Sequence, residues 1–150
     1  MAARRRAPAA EVARVICRPA ARAAISAHAA AAWPREACGL LVGRACGDAV
    51  EVVRAEPAPN LASAPDAFEL DPAARLTLQR TLREAGEGLA IVGHYHSHPD
   101  APAEPSARDR ARAGEAGLIW LIAAVADGKT VTLATYRAVP GPALAPLAID

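Results

Sequence analysis

The stretch Leu89-Ala90-Ile91-Val92-Gly93-His94-Tyr95-His96-Ser97-His98-Pro99 decides how this chain is read, both as a fold and as a site. Leu89 to Tyr95 is an apolar, β-prone run that predicts a strand, and the histidines come at its end. Strand side chains alternate faces, so His96 and His98 point the same way. Asp109, eleven positions beyond His98, can swing back as an oxygen ligand. Two imidazoles and one carboxylate leave one position of a tetrahedral zinc ion open, which a catalytic site requires and a structural one does not. The carboxylate also decides the register. Starting from His94 and His96, the equivalent position is Ala107, which cannot ligate. His94 is therefore expected beside the metal set or at the surface, not in it.

Downstream, Pro99, Pro102 and Pro105 stiffen the loop that follows the histidines, and Ser106 opens a helix expected to reach about Glu115. Ser106 and Asp109 have the S-x-x-D spacing of a capping box, in which each side chain satisfies the other's backbone N–H. The same arrangement would aim Asp109 at the metal and place the Ser106 hydroxyl near a developing oxyanion. Upstream, Glu36 lies between a helix and a strand in Pro34-Arg35-Glu36-Ala37-Cys38-Gly39-Leu40-Leu41-Val42-Gly43. Alone it reads as a solvated glutamate; beside a metal site that needs a base, it is the best candidate for that role. Asp100 and Glu104 lie nearer in sequence, but on the loop, where contact with substrate or solvent is expected.

Further outward, Val12 to Cys17 is a short β-prone run stopped by Arg18-Pro19. An Ala-rich helix follows to Ala32, with Pro19 in its first turn and Ile25, His28 and Ala29 on one side. Trp33-Pro34 ends it, because the residue before proline disfavours the α region. Gly39 to Gly43 predicts a buried strand, and Val50 to Ala55 its hairpin partner across Cys46-Gly47-Asp48. Residues 57–66 predict a loop. Asp71-Pro72 then starts a helix with Leu78, Leu82 and Ala85 on its apolar side. Leu118 to Val125 and Thr130 to Val139 predict a hairpin across Asp127-Gly128, and the Pro/Gly-rich end at most a short edge strand. The expected fold is α/β, a mixed sheet flanked by helices.

At 150 residues the chain is sized for one domain, expected over residues 12–150 behind a flexible N-terminus at 1–11 that includes Arg4-Arg5-Arg6. A formal net charge of +1 gives no electrostatic case for nucleic acid. Cys17, Cys38 and Cys46 share no C-x-x-C spacing, so a reduced, cytoplasmic setting is expected rather than a disulfide framework. No apolar run approaches the roughly 20 residues that span a bilayer, so no membrane association is expected.

The order Glu36, His96-x-His98-Pro99, six residues, Ser106-x-x-Asp109 resembles the JAMM (MPN+) zinc metalloproteases, in particular the small prokaryotic branch. Matching blocks extend the resemblance over roughly residues 12–139: His28-Ala29, Glu36 to Gly43, Phe68-Glu69-Leu70-Asp71-Pro72, and Ile91-Val92-Gly93 before Tyr95-His96. The resemblance implies a sheet between helices, similar to the zinc deaminases. It implies a Zn2+ ion held by His96, His98 and Asp109, with Glu36 as base and Ser106 at the oxyanion. The activity implied is hydrolysis of a peptide or isopeptide bond next to the C-terminal Gly-Gly of a ubiquitin-like or sulfur-carrier protein. His94 stands where such relatives often carry a bulky aromatic. A deaminase would need H-x-E and P-C-x-x-C, and neither occurs. The other readings are a non-catalytic interaction module of the same fold and a zinc amidase acting on small peptide or amino-acid conjugates.

Overall fold

The computed structural model describes residues 11–150 apart from 116 and 142. The expectation of a flexible segment at residues 1–11, with its arginine run, falls almost wholly on residues outside that set.

Among the described residues, seven strands and three helices follow one another as β1 (Arg14–Cys17), α1 (Pro19–Ala32), β2 (Cys38–Cys46), β3 (Ala49–Ala58), α2 (Pro72–Ala85), β4 (Ala90–Pro99), α3 (Ala107–Arg112), β5 (Ile119–Ala126), β6 (Thr130–Val139) and β7 (Ala143–Ile149). The strands close into a ring in the order β1-β3-β2-β4-β5-β6-β7. This corrects the expected helix-flanked sheet: the architecture is mixed α/β, but its sheet closes on itself. Closure depends on β7, where sequence reading expected at most a short edge strand. Ala143–Val139 through Leu147–Thr135 pair antiparallel with β6, and Ala148 and Ile149 pair parallel with Arg14 and Val15 of β1. Pro146 suggests a breaker because it has no N–H to donate. It is tolerated because it sits opposite Tyr136 and beyond the short stretch that β1 pairs.

The predicted hairpins form, and are longer than expected. β2 and β3 pair from Cys46↔Ala49 to Cys38↔Ala58, with a bulge between Val42 and Gly43, so strand continues where residues 57 and 58 predicted loop. Gly39 is required by a close approach: a Cβ there would lie 2.3 Å from Cε1 of Tyr95. α3 stops at Arg112, short of the expected Glu115, as Ala113 leaves helical geometry and Gly114 follows.

Two apolar clusters occupy the two faces of the sheet. Ala21, Ile25 and Ala29 of α1 join Val15, Leu41, Val52, Tyr95, Leu121 and Ala123 in the larger one. Phe68, Trp120, Ile122, Tyr136 and Leu144 form the other, beneath α3. α2 is attached more loosely than its pattern predicts. Leu82 is its one buried residue, Leu78 is half-buried, Ala85 is exposed and Leu76 is 63% exposed. Among the described residues no helix is long and apolar enough to cross a membrane.

Candidate metal centre

β4 carries the site because its last residues are held on both sides. Cys38↔His96 pairs it antiparallel with β2, and His96↔Ile122 and His98↔Ala124 pair it parallel with β5. The histidines therefore lie within the strand, not beyond its end. His94, His96 and His98 project to one face and Tyr95 and Ser97 to the other.

α3 brings up the carboxylate through the predicted capping box. Ser106 Oγ accepts from the Asp109 N–H at 3.1 Å, and Asp109 Oδ2 accepts from the Ser106 N–H at 2.9 Å. The same carboxylate reaches both imidazoles, with Oδ1 3.2 Å from His96 Nε2 and Oδ2 3.1 Å from His98 Nε2. The two Nε2 atoms are 3.1 Å apart. Three ligands bonded at about 2.0–2.1 Å around a tetrahedral ion are separated by roughly 3.3 Å, so the cluster has the spacing of a metal's coordination shell.

Proton bookkeeping points the same way. His98 Nδ1 lies 2.9 Å from the Pro102 carbonyl, an acceptor only, so Nδ1 carries a proton and, in the neutral ring that can bind a metal, Nε2 has the lone pair. That lone pair faces the Asp109 carboxylate and the other imidazole. His96 can place at most one proton into this group of acceptors, whereas a cation satisfies all three. A metal therefore fits the residues present.

Glu36 stands against this group, 8% exposed, and its carboxylate, His96 and His98 offer atoms within 4.8 Å of one another. Two overlapping ligand sets are thus available. The set with Asp109 is the tighter, and its carboxylate is the one held ionised: burial alone would raise its pKa, but the two imidazoles that face it and the Ser106 N–H push it well below the usual range. Glu36 goes the other way, up to about 7, through burial first and the charges of Asp109 and Asp66 after it, against the pull of His98 and Arg108. Its Oε2 is buried with no hydrogen-bond partner among the described residues. Two carboxylates whose environments drive their pKa values apart are suited to separate ligand and proton-transfer roles. For His98, burial is outweighed by Asp109 and Pro102 and the pKa rises; His96, fully enclosed, is lowered.

Glu36 is fixed through its backbone. Its N–H donates to the Pro65 carbonyl, and its own carbonyl accepts from Asn60 Nδ2 at 3.0 Å. The next residue is clamped to β4: the Ala37 N–H donates to Ser97 Oγ at 2.7 Å, and the Ser97 N–H to the Ala37 carbonyl at 2.9 Å. Glu36, Asp66, His98, Pro99, Ala101 and Ser106 line an open mouth of about 160 Å³.

His94 lies outside the cluster, as expected. Its ring meets Trp120 edge-on at 4.4 Å, and burial lowers its pKa to about 3, so it is neutral. Asp100 is exposed, in keeping with the solvent contact expected of the loop, but it also has a structural role. Its carboxylate accepts from Trp33 Nε1 at 3.0 Å and from the Asp127 N–H at 2.8 Å, tying the end of α1 to the β5–β6 turn. Ser97, Asn60 and Phe68 were not singled out as site residues by sequence reading. Ser97 stands inside the quoted histidine stretch and Phe68 inside a matching block, but their partners are remote in sequence.

Residues 18–138 match the family described as prokaryotic homologs of the JAB domain. The chain belongs to that family. Its JAB domain is 42% identical over 90 residues to the desampylase of Haloferax volcanii, covering 59% of this chain and 62% of that protein. It is 33% identical over 118 residues to the CysO-cysteine peptidase of Mycobacterium tuberculosis, covering 79% of this chain and 78% of the relative. The JAB fold itself is shared with a solved protein from Desulfitobacterium hafniense, at a TM-score of 0.80 and 33% identity over 91% of each chain.

Proposed function

We propose that residues 12–150 act as one domain, a zinc-dependent hydrolase that cleaves a peptide or isopeptide bond next to the C-terminal Gly-Gly of a ubiquitin-like or sulfur-carrier protein. The observation that carries this reading is the Glu36 carboxylate, raised to about 7 and standing beside two imidazoles and an ionised aspartate. A structural site would need no such base. Relatives named as a desampylase and a CysO-cysteine peptidase support the substrate class.

His96, His98 and Asp109 would hold the ion. A bound zinc supplies Lewis acidity, polarising the scissile carbonyl and making an adjoining water more acidic. Glu36 takes one proton from the attacking water and returns it to the leaving nitrogen, so that the acyl product gains hydroxyl and the amine gains hydrogen. Ser106 Oγ accepts the Asp109 N–H, which leaves its own proton free to be donated to the carbonyl oxygen as charge develops there. An oxyanion donor of this kind is worth about 3 kcal/mol in the barrier. The reduced, cytoplasmic setting read from the cysteines fits a carrier-protein substrate.

The test is incubation of the zinc-loaded protein with carrier proteins ending in Gly-Gly and bearing a C-terminal extension or conjugate, followed by mass spectrometry. A cut directly after Gly-Gly is expected. Cleavage of short amides alone, with every carrier intact, would replace this substrate class with that of a small-conjugate amidase.

A further inference from the structure

Metal-bound histidines nearly always donate their second ring nitrogen to a carboxylate, a backbone carbonyl or water, and this bond fixes the ring's orientation. His98 follows that rule through Pro102. His96 does not: its Nδ1 is buried and has no hydrogen-bond partner among the described residues. Among the described residues no protein group therefore holds its plane by a hydrogen bond, and the packing around the ring becomes the means of fixing it.

Phe68 covers it. The two rings stack with centroids 4.1 Å apart and planes inclined by 17°, while Trp120 meets the His96 ring edge-on at 5.9 Å and 86°. Phe68 is itself buried and its main chain is fastened on both sides. Its carbonyl accepts from the Arg112 guanidinium. The Ala67 carbonyl accepts from Asn60 Nδ2 at 2.9 Å, and the Glu69 N–H donates to Asn60 Oδ1 at 3.0 Å. One residue earlier, the Asp66 carbonyl accepts from Arg108 at 3.3 Å. Arg108 and Arg112 belong to α3, the helix that carries Asp109. A single short helix thus presents one ligand and holds down the ring that covers another.

We infer that Phe68 is a positioning residue for His96: stacking, in place of a hydrogen bond, keeps the imidazole plane turned so that Nε2 faces Asp109 and His98, and Arg112 on α3 sets where that stack lies. This rests on the metal-centre reading above. Losing the group that orients a metal-bound histidine typically costs about 10–100-fold in metal affinity.

Zinc affinity, measured by competition with a chromophoric chelator, is the direct readout, and the visible absorption of the cobalt-loaded protein reports ligand geometry independently of turnover. Phe68→Leu is expected to weaken zinc binding by about tenfold or more and to alter the cobalt bands. Phe68→Tyr, which keeps the ring, restores both. Leu144→Ala, a cavity in the same apolar cluster but on β7, with β5 and β6 between it and the histidines of β4, lowers stability but leaves zinc affinity and cobalt spectrum as in the wild type. A folded Phe68→Leu protein with wild-type affinity and spectrum overturns the inference, as does an equal loss in Leu144→Ala. If Phe68→Leu does not fold, Arg112→Gln decides. It keeps the ring but frees its carbonyl, and an intermediate loss of affinity is expected; wild-type affinity there overturns the inference. A wild-type protein that takes up no zinc defeats the metal-centre reading instead, so the two failures are distinguishable.

Discussion

The two faces of β4 differ in how their buried polar atoms are satisfied, though they alternate along a single strand. On one face Tyr95 and Ser97 are buried with their polar atoms partnered: the Tyr95 hydroxyl lies 2.7 Å from His28 Nδ1, and Ser97 Oγ accepts the Ala37 N–H. On the other, His94, His96 and the adjoining Glu36 each keep a buried polar atom with no partner among the described residues. Buried polar groups are nearly always satisfied, because an unmet one costs about 1–3 kcal/mol. The first face therefore stabilises the fold, and the second spends stability to hold groups ready for a ligand. This difference can be broken from either side.

Glu36→Gln should have the largest effect. Removing a general base costs typically 10²- to 10⁴-fold in rate, so kcat is expected to fall about 10³-fold while zinc remains stoichiometric by metal analysis. Because the variant neutralises a buried, unpartnered carboxylate, its thermal midpoint should not fall. Tyr95→Ala should do the reverse. It empties a fully buried site seated on Gly39 and is expected to cost about 3 kcal/mol of stability, read by urea unfolding, with the zinc affinity of the folded fraction little changed. Loss of zinc binding without loss of stability in that variant would dissolve the distinction between the faces. Ser97→Ala lies between the two. It leaves the Ala37 N–H unmet, at about 1–2 kcal/mol, and because Ala37 follows Glu36 it should also lower kcat several-fold at unchanged KM.

How much of this was legible follows from the range of each interaction. The alternation His94-Tyr95-His96-Ser97-His98 and the spacing Ser106-x-x-Asp109 are local, so the orientation of the histidines and the capping box could be read directly. Closure of the ring was not, because Pro146 counts against a strand until β1 is known to pair only Ala148 and Ile149 of β7. The apolar stripe of α2 read as core, yet of Leu78, Leu82 and Ala85 Leu82 alone is buried and Ala85 is left in solvent, since periodicity states which residues share a face and not whether anything covers it. The position of Glu36 depends on Pro65, Asn60 and Ser97, and that of His96 on Phe68, contacts between segments 24 to 60 residues apart for which no local pattern exists.

The most specific effect lies in the sign of the pH dependence of the metal-free protein. Glu36 binds its proton more tightly folded than unfolded, with a pKa raised from 4.5 to about 7. Between those values the folded state holds more protons, so its contribution falls as pH rises and is fully lost above about 7. His28, on α1 against Tyr95, has a pKa lowered by burial from 6.5. There the unfolded state holds more protons, so stability is retained above 6.5 and lost as pH falls through the folded value. The two faces should thus titrate with opposite slopes. Urea unfolding of the metal-free wild type, Glu36→Gln and His28→Gln from pH 4.5 to 8 separates them. The advantage of Glu36→Gln over wild type should grow with rising pH up to about 7, and that of His28→Gln should grow with falling pH below 6.5. Parallel curves for all three proteins would mean that neither group is desolvated as the packing around β4 requires.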